Sequence, residues 1–115
     1  MKYLLCGLLA LGFLFSGHFA VAADDEEIQY LLSFIGASDC VFIRNDDEHS
    51  AKEAKEHLEM KYNHVKRRIK TAEDFIAEVA SKSSLSRRQY KVRCGDVLFP
   101  TAQWLREALA SHRKK

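Results

Sequence analysis

A chain of 115 residues that is 47% hydrophobic and 30% charged, with no repeat or low-complexity tract, has room for one modest core and excludes a multidomain or solenoid protein. A formal net charge of +2 argues against binding driven by overall charge, as in nonspecific nucleic-acid coating. The charge is unevenly placed: Asp24 to Met60 holds eleven acidic and three basic residues, whereas Lys61 to Lys115 holds fourteen basic and five acidic ones. Two such halves are expected either to neutralise each other through surface pairs or to leave a basic face for an anionic partner.

The N-terminus has the three-part layout of a secretory signal. Lys2 is followed by an uncharged run from Tyr3 to Phe15, and then by small residues that include Ala20-Val21-Ala22. The run is short for a membrane span and is interrupted by Gly12 and Gly17. Cys6 follows Leu5 and has no apolar segment upstream, which does not suit lipidation. The pattern predicts cleavage after Ala22 and export to the periplasm, with a signal peptide over residues 1–22 and one domain over residues 23–115.

Cleavage removes Cys6 and leaves Cys40 and Cys94 in an oxidising compartment, where an even pair reads as a disulfide. The closed loop of about 55 residues would contribute about 4 kcal/mol, so the bridge is expected to be structural. A redox pair is more commonly spaced Cys-x-x-Cys, and these two cysteines are far apart.

Along the mature chain, Ile28, Leu31, Leu32 and Ile35 have helical spacing behind the acidic run Asp24-Asp25-Glu26-Glu27, which suits a helix start; the helix should end near Gly36. Cys40-Val41-Phe42-Ile43 reads as a strand, and Arg44-Asn45-Asp46-Asp47 as a turn. Ser50-Ala51-Lys52-Glu53 has the form of a capping box for the longest helix, with Ala54, Leu58, Tyr62, Val65 and Ile69 as its apolar stripe. Thr71-Ala72-Glu73-Asp74 starts a short helix that buries Phe75, Ile76 and Val79. Ser81 to Ser86 is a serine-rich loop, Tyr90 to Cys94 alternates as a half-buried strand, Gly95-Asp96 turns, and Pro100-Thr101 opens a last helix with Trp104, Leu105, Ala108 and Leu109. The order is helix, strand, helix, helix, strand, helix. It predicts a helix-dominated α+β domain with a short two-stranded β element.

Several of these segments resemble the YfeK-like family of small exported bacterial proteins, a domain of unknown function. The resemblance is carried by Ser38-Asp39-Cys40-Val41-Phe42-Ile43-Arg44-Asn45, His57-Leu58 with Lys61-Tyr62, Thr71 to Ile76, Ser83-Ser84, Tyr90 with Val92-Arg93-Cys94, and Trp104-Leu105. The family pattern has glycine where Asp46 stands, tyrosine where His49 stands, and a glycine followed by proline near Arg87 to Gln89. The resemblance implies an exported protein with paired cysteines and supplies no reaction or ligand.

The polar residues within the family-like segments, Arg44, Asn45, His57, Lys61, Glu73, Ser83, Ser84 and Tyr90, form the candidate ligand-binding set. Arginine, asparagine and serine suit a carboxylate or sugar, and tyrosine can stack on a ring. The structural alternative has Arg44 bridging to Glu73, the serines capping or turning, and Tyr90 filling the core. His49, Glu53 and His57 recur every four positions, a spacing that offers two imidazoles and a carboxylate to zinc or copper. Ser50 and Glu53 have capping roles that compete with that use.

With both cysteines spent on a bridge, no Gly-x-Ser-x-Gly elbow and no glycine-rich phosphate loop, the sequence assigns no catalytic residue, metal ligand or cofactor. Lys66-Arg67-Arg68 with Lys70, and Arg87-Arg88 with Lys91 and Arg93, provide either solvated faces or a docking surface for an envelope protein or an anionic envelope component rather than for nucleic acid. The expected function is a non-catalytic interaction or ligand-binding module, and the alternative is a small cell-envelope hydrolase or metal-dependent enzyme. No transmembrane segment is expected in the mature chain.

Overall fold

The computed structural model describes residues 16–115, so most of the expected signal peptide lies outside the described residues. Helix α1 spans Ser16–Ala37, strands β1 and β2 span Val41–Arg44 and Asp47–His49, and α2 spans Ala51–Val65. Helix α3, Ala72–Asp74, passes directly into a single π turn, Phe75–Val79; β3 (Lys91–Cys94), β4 (Val97–Pro100) and α4 (Thr101–Arg113) complete the chain. The result is an α+β domain in which the helices pack on an antiparallel sheet of strand order β2-β1-β3-β4.

The two strands expected from the sequence pair at the centre of the sheet, with Phe42 opposite Val92 and Ile43 opposite Lys91. Each also carries a short return strand that the pattern did not reveal. Between β1 and β2 the loop is only Asn45-Asp46, both at positive φ (52° and 69°), the conformation of a type I′ hairpin turn. Between β3 and β4 it is Gly95-Asp96, with Gly95 at φ 63°. Strand β2, Asp-Glu-His, has no apolar alternation to betray it, and β4 runs straight into the proline that precedes α4. Both therefore read as loop, and the two-stranded element is the middle of a four-stranded sheet.

Cys40 and Cys94 extend the central register by one pair and are disulfide-bonded, 54 positions apart in sequence with Cα atoms 4.5 Å apart. That spacing is the close one of directly opposed residues in an antiparallel pair. Phe42 and Val92 are buried under the helices. Val41, Ile43, Lys91 and Arg93 alternate onto the other face.

The capping box of α2 forms as read: Ser50 Oγ accepts from the Glu53 amide at 3.2 Å, and the Ser50 amide donates to Glu53 Oε1 at 2.9 Å. Two such bonds satisfy amides that the helix cannot pair internally. Ala54, Leu58 and Tyr62 are buried, but Ile69 lies beyond the helix, after a 3₁₀ turn over Lys66–Arg68. A second box, Thr71 with Asp74, opens α3, the shorter acid replacing the usual glutamate. Helix α1 differs from expectation because it begins at Ser16, which leaves the acidic run near its middle rather than in its first turn. Ala20-Val21-Ala22-Ala23 contains no breaker to stop a helix there.

Ile28, Leu31, Leu32 and Ile35 of α1 meet Leu58 and Tyr62 of α2, Phe75, Ile76 and Val79 of the π turn, and Leu105 and Leu109 of α4 in one core. Each large apolar side chain buried there contributes about 1.5–3 kcal/mol before conformational entropy is set against it. The acidic and basic halves of the chain join through side chains: Arg113 bonds Glu27, Arg88 bonds Asp46, and Arg93 bonds Glu48, while Arg113 also bonds Glu73 within its own half.

Besides Asn45, two residues other than glycine hold a glycine-like backbone conformation next to the recess loops. Asp46 is at φ 69° and Arg87 at φ 67°, in the left-handed region that costs an ordinary L-residue about 1–2 kcal/mol. Aspartate tolerates this region better than arginine does. Arg87→Gly should therefore raise the stability measured by urea unfolding by about 0.5–1 kcal/mol, net of the extra freedom glycine gives the unfolded chain; a loss of stability would show that the Arg87 side chain contributes more than its backbone costs.

Candidate functional site

Strand β1 ends at Arg44, and one step past Ile43↔Lys91 the central register sets Arg44 opposite Tyr90. Helix α2 crosses above them and presents His57 and Lys61, four residues and about one turn apart, beside the buried stripe of Leu58 and Tyr62. The loop from Lys82 to Gln89 folds back over the same edge. It is closed by the Lys82↔Gln89 bridge and by the Ser83 amide donating to the Arg88 carbonyl at 2.9 Å.

An open recess of about 520 Å³ lies among these three elements, lined by Arg44, Asn45, Asp47, His57, Lys61, Ser83, Ser84, Leu85 and Tyr90. Seven of the eight residues singled out from sequence are thus in one place. Glu73 is not: it lies at the start of α3 and bonds Arg113 at 2.7 and 3.1 Å, so the Arg44–Glu73 bridge is replaced by a different pair. Asp47 and Leu85 are additions. Asp47 is implied once the turn is known to have two residues, since it must then close against Arg44. Leu85, 97% exposed between two serines, is an apolar side chain at a loop tip with nothing to bury it, a signal visible in the sequence.

At the floor of the recess Lys61 Nζ donates to Tyr90 Oη and to the Lys82 carbonyl, each at 3.0 Å. Tyr90 Oη also lies 3.3 Å from His57 Nε2. Burial pushes the His57 imidazole down to about 4, with the charges of Arg44, Lys61 and His49 adding to the effect. The ring is therefore neutral at ordinary pH. The phenol oxygen accepts from Lys61 and shares a second hydrogen bond with Nε2, whose direction follows the His57 tautomer. Burial also raises the Tyr90 hydroxyl above its usual range, against the opposing charge of Arg44. Burial first, and Arg44 second, bring the Lys61 ammonium down to about 8.

Arg44 is held by His49, whose Nε2 accepts from the guanidinium at 3.4 Å, while its Nδ1 is 4.0 Å from Glu53. Among the described residues neither Arg44 nor Lys61 takes part in an ion pair, and Asp47 is the single carboxylate lining the recess. Ser83 and Asn45 have structural bonds as well: Ser83 Oγ accepts from the Ser86 amide, and Asn45 Oδ1 accepts from the Ser86 hydroxyl. Ser84 is exposed at the rim.

His49, Glu53 and His57 do not converge on a metal centre: among the described residues no group of three or more His, Cys, Asp or Glu side chains is placed to hold an ion. Nor, among those residues, is any helix long and apolar enough to cross a membrane.

This geometry defines a small disulfide-closed α+β domain with a half-buried cationic recess at the end of its central strand pair. The chain belongs to a family of unknown function (DUF5329), which it matches over residues 22–113. It is 37% identical over 92 residues to the uncharacterized protein YfeK of Salmonella typhimurium, an alignment that covers 78% of this chain and 77% of that protein. No solved structure matches it.

Desolvation of His57 links folding to pH. Its folded value lies below its unfolded one, so the unfolded chain binds more protons between about pH 4 and 6.5, and stability falls as pH drops through that window. An NMR titration should find the His57 ring neutral until about pH 4. A midpoint near the free-histidine value would place His57 in water rather than against Tyr90.

Proposed function

We propose that the protein is an exported, non-catalytic binding module of the cell envelope whose recess takes a small anionic ligand, a carboxylate-bearing molecule such as an acidic sugar. The observation that carries this reading is the presence of two cations, Arg44 and Lys61, in one half-buried recess without an ion-pair partner. Cations removed from water and left unmatched are unfavourable unless something else supplies the negative charge. Arg44 offers a planar fork suited to a carboxylate, Lys61 a second charge, and Ser83, Ser84 and Asn45 hydroxyl and amide groups suited to a polyol. Leu85 at the rim supplies apolar surface for the face of a sugar.

Export to the periplasm is part of the same proposal, supported by the layout of residues 1–22 and by a disulfide of the kind that oxidising compartments maintain. Cleavage after Ala22 would leave Asp24 to Glu27 in the first turn of the mature α1, where acids favour the helix dipole. N-terminal sequencing of the protein recovered from a periplasmic fraction should begin at Ala23. A chain that keeps Met1 and sediments with membranes would overturn export as a cleaved protein.

Binding is tested by titrating isotope-labelled protein with glucuronate and following amide shifts around β1, α2 and the serine loop. Arg44→Ala and Lys61→Met should each weaken binding by roughly ten- to a hundredfold, the value of a charge-assisted contact. Affinity should fall as pH rises through about 8, because the Lys61 charge is present below that value and lost above it. Unchanged affinity in both variants would remove the recess as the site.

A further inference from the structure

Among the described lysines Lys61 is the one that lines the recess, where its Nζ donates to the Lys82 carbonyl and has no ion-pair partner. It sits 3.0 Å from the Tyr90 hydroxyl, which is itself 3.3 Å from His57 Nε2. An amine, a phenol and a neutral imidazole in hydrogen-bonded sequence are the groups needed to add an amine to a carbonyl and to move the protons that the addition displaces. Arg44 lines the same recess and supplies the charge that would hold a carboxylate beside that carbonyl.

We propose that Lys61 is a covalent capture site, at which the amine condenses reversibly with the carbonyl group of a small 2-oxo or aldehyde acid whose carboxylate rests on Arg44. The inference rests on the reading of the recess as an anion site and adds the reacting group of the ligand.

The Nζ lone pair attacks the carbonyl carbon, a C–N bond forms, and the carbonyl π pair moves to oxygen, which takes a proton from Tyr90. Tyr90 is reprotonated by the ammonium formed on Nζ, to which it is already hydrogen-bonded. The resulting carbinolamine hydroxyl takes a second proton, again from Tyr90, and leaves as water while the nitrogen lone pair closes the C=N bond; the iminium then returns its nitrogen proton to the Tyr90 phenolate, so no net proton is consumed. His57, neutral and bonded to the phenol, provides a place for a proton between these steps. Amine and carbonyl go to imine and water, with no oxidant or reductant consumed. The reacting form is the free amine, and burial holds Lys61 at about 8, so about a tenth of it is unprotonated at neutral pH, against far less than one part in a hundred for a solvated lysine.

The test uses the disulfide-intact protein at neutral pH with glyoxylate and, separately, pyruvate, each trapped by sodium cyanoborohydride. Intact mass and peptide mapping then locate the reduced adduct. A saturable single adduct on Lys61, formed roughly tenfold or more faster than on exposed lysines such as Lys52 and Lys70 and absent in Lys61→Arg, is the expected result. Lys61→Arg keeps the charge and separates chemistry from electrostatics, and Tyr90→Phe should slow trapping without changing circular dichroism.

Labelling spread evenly over surface lysines, or equal total labelling in Lys61→Arg, would overturn the proposal. Lactate, which has the carboxylate and lacks the carbonyl, distinguishes the two readings when its binding is followed by amide shifts. Lactate binding without selective trapping leaves the anion site standing and the imine refuted, selective trapping without lactate binding supports the amine chemistry against the anion site, and the failure of both removes the recess altogether.

Discussion

The structure depends on one cross-strand clamp. β1 and β3 are far apart in sequence, and their pairing has to overcome the entropy of closing the chain between them before any side chain gains from it. The Cys40–Cys94 bond closes that loop at one end of the pair and fixes the register, since a slip of one residue would turn Phe42 and Val92 away from the helices. The same register places Arg44 and Tyr90 opposite each other at the far end, so the bond that holds the sheet also sets two walls of the recess. Two hairpins grow outward from the clamped pair, and each leads into a helix that folds back onto the buried face.

A second constraint ties the ends of the helices. Arg113, in the last turn of α4, forms paired bonds to Glu27 of α1 and Glu73 of α3, at 2.7 to 3.1 Å. Glu27 is the most enclosed of the three, its side chain only 15% exposed. The guanidinium holds both carboxyls below their usual range, and they in turn raise Arg113. By linkage this adds stability that is present above the ordinary glutamate range and lost as pH falls through the lowered values. With the arginine well exposed the contribution is modest. Its greater effect is positional: it ties the end of α4 to α1 and to the start of α3.

Helix starts and the cysteine strands were legible in the sequence because their signals are local. Ser50 with Glu53 and Thr71 with Asp74 mark caps whatever surrounds them, and Phe42 and Val92 sit in β-favouring, alternating runs. What was not legible depends on partners. Asp47-Glu48-His49 is a strand only because β1 offers it an edge, and Val97 to Phe99 only because β3 does. The seven polar residues were visible as a set because they fall within segments that resemble one family, whereas their convergence in space emerges only from the fold. The exclusion of Glu73 was not, because it depends on Arg113, forty positions away, reaching it first. Arg87 marks a further limit: it stands at φ 67°, and nothing in an arginine advertises a positive φ, whereas Asn45-Asp46 is ordinary turn material.

The recess itself is a local conflict within an otherwise consistent fold. Placing Lys61 and Arg44 in partial burial without a matching carboxylate favours the neutral lysine, so between about pH 8 and the value of a free lysine the unfolded chain binds the extra proton, and below that range the folded state carries a desolvation cost. A purely structural site would remove this cost by pairing one of the cations with an acid, and Asp47 already lines the recess. Instead Glu73 is committed to Arg113, and Asp47 lines the recess without forming an ion pair. A small domain tolerates such a site because the disulfide stabilises it elsewhere by an amount of the same order or larger. An incoming anion would restore the lysine charge and take up a proton as it binds, so ligand affinity, lysine protonation and domain stability are coupled through one side chain.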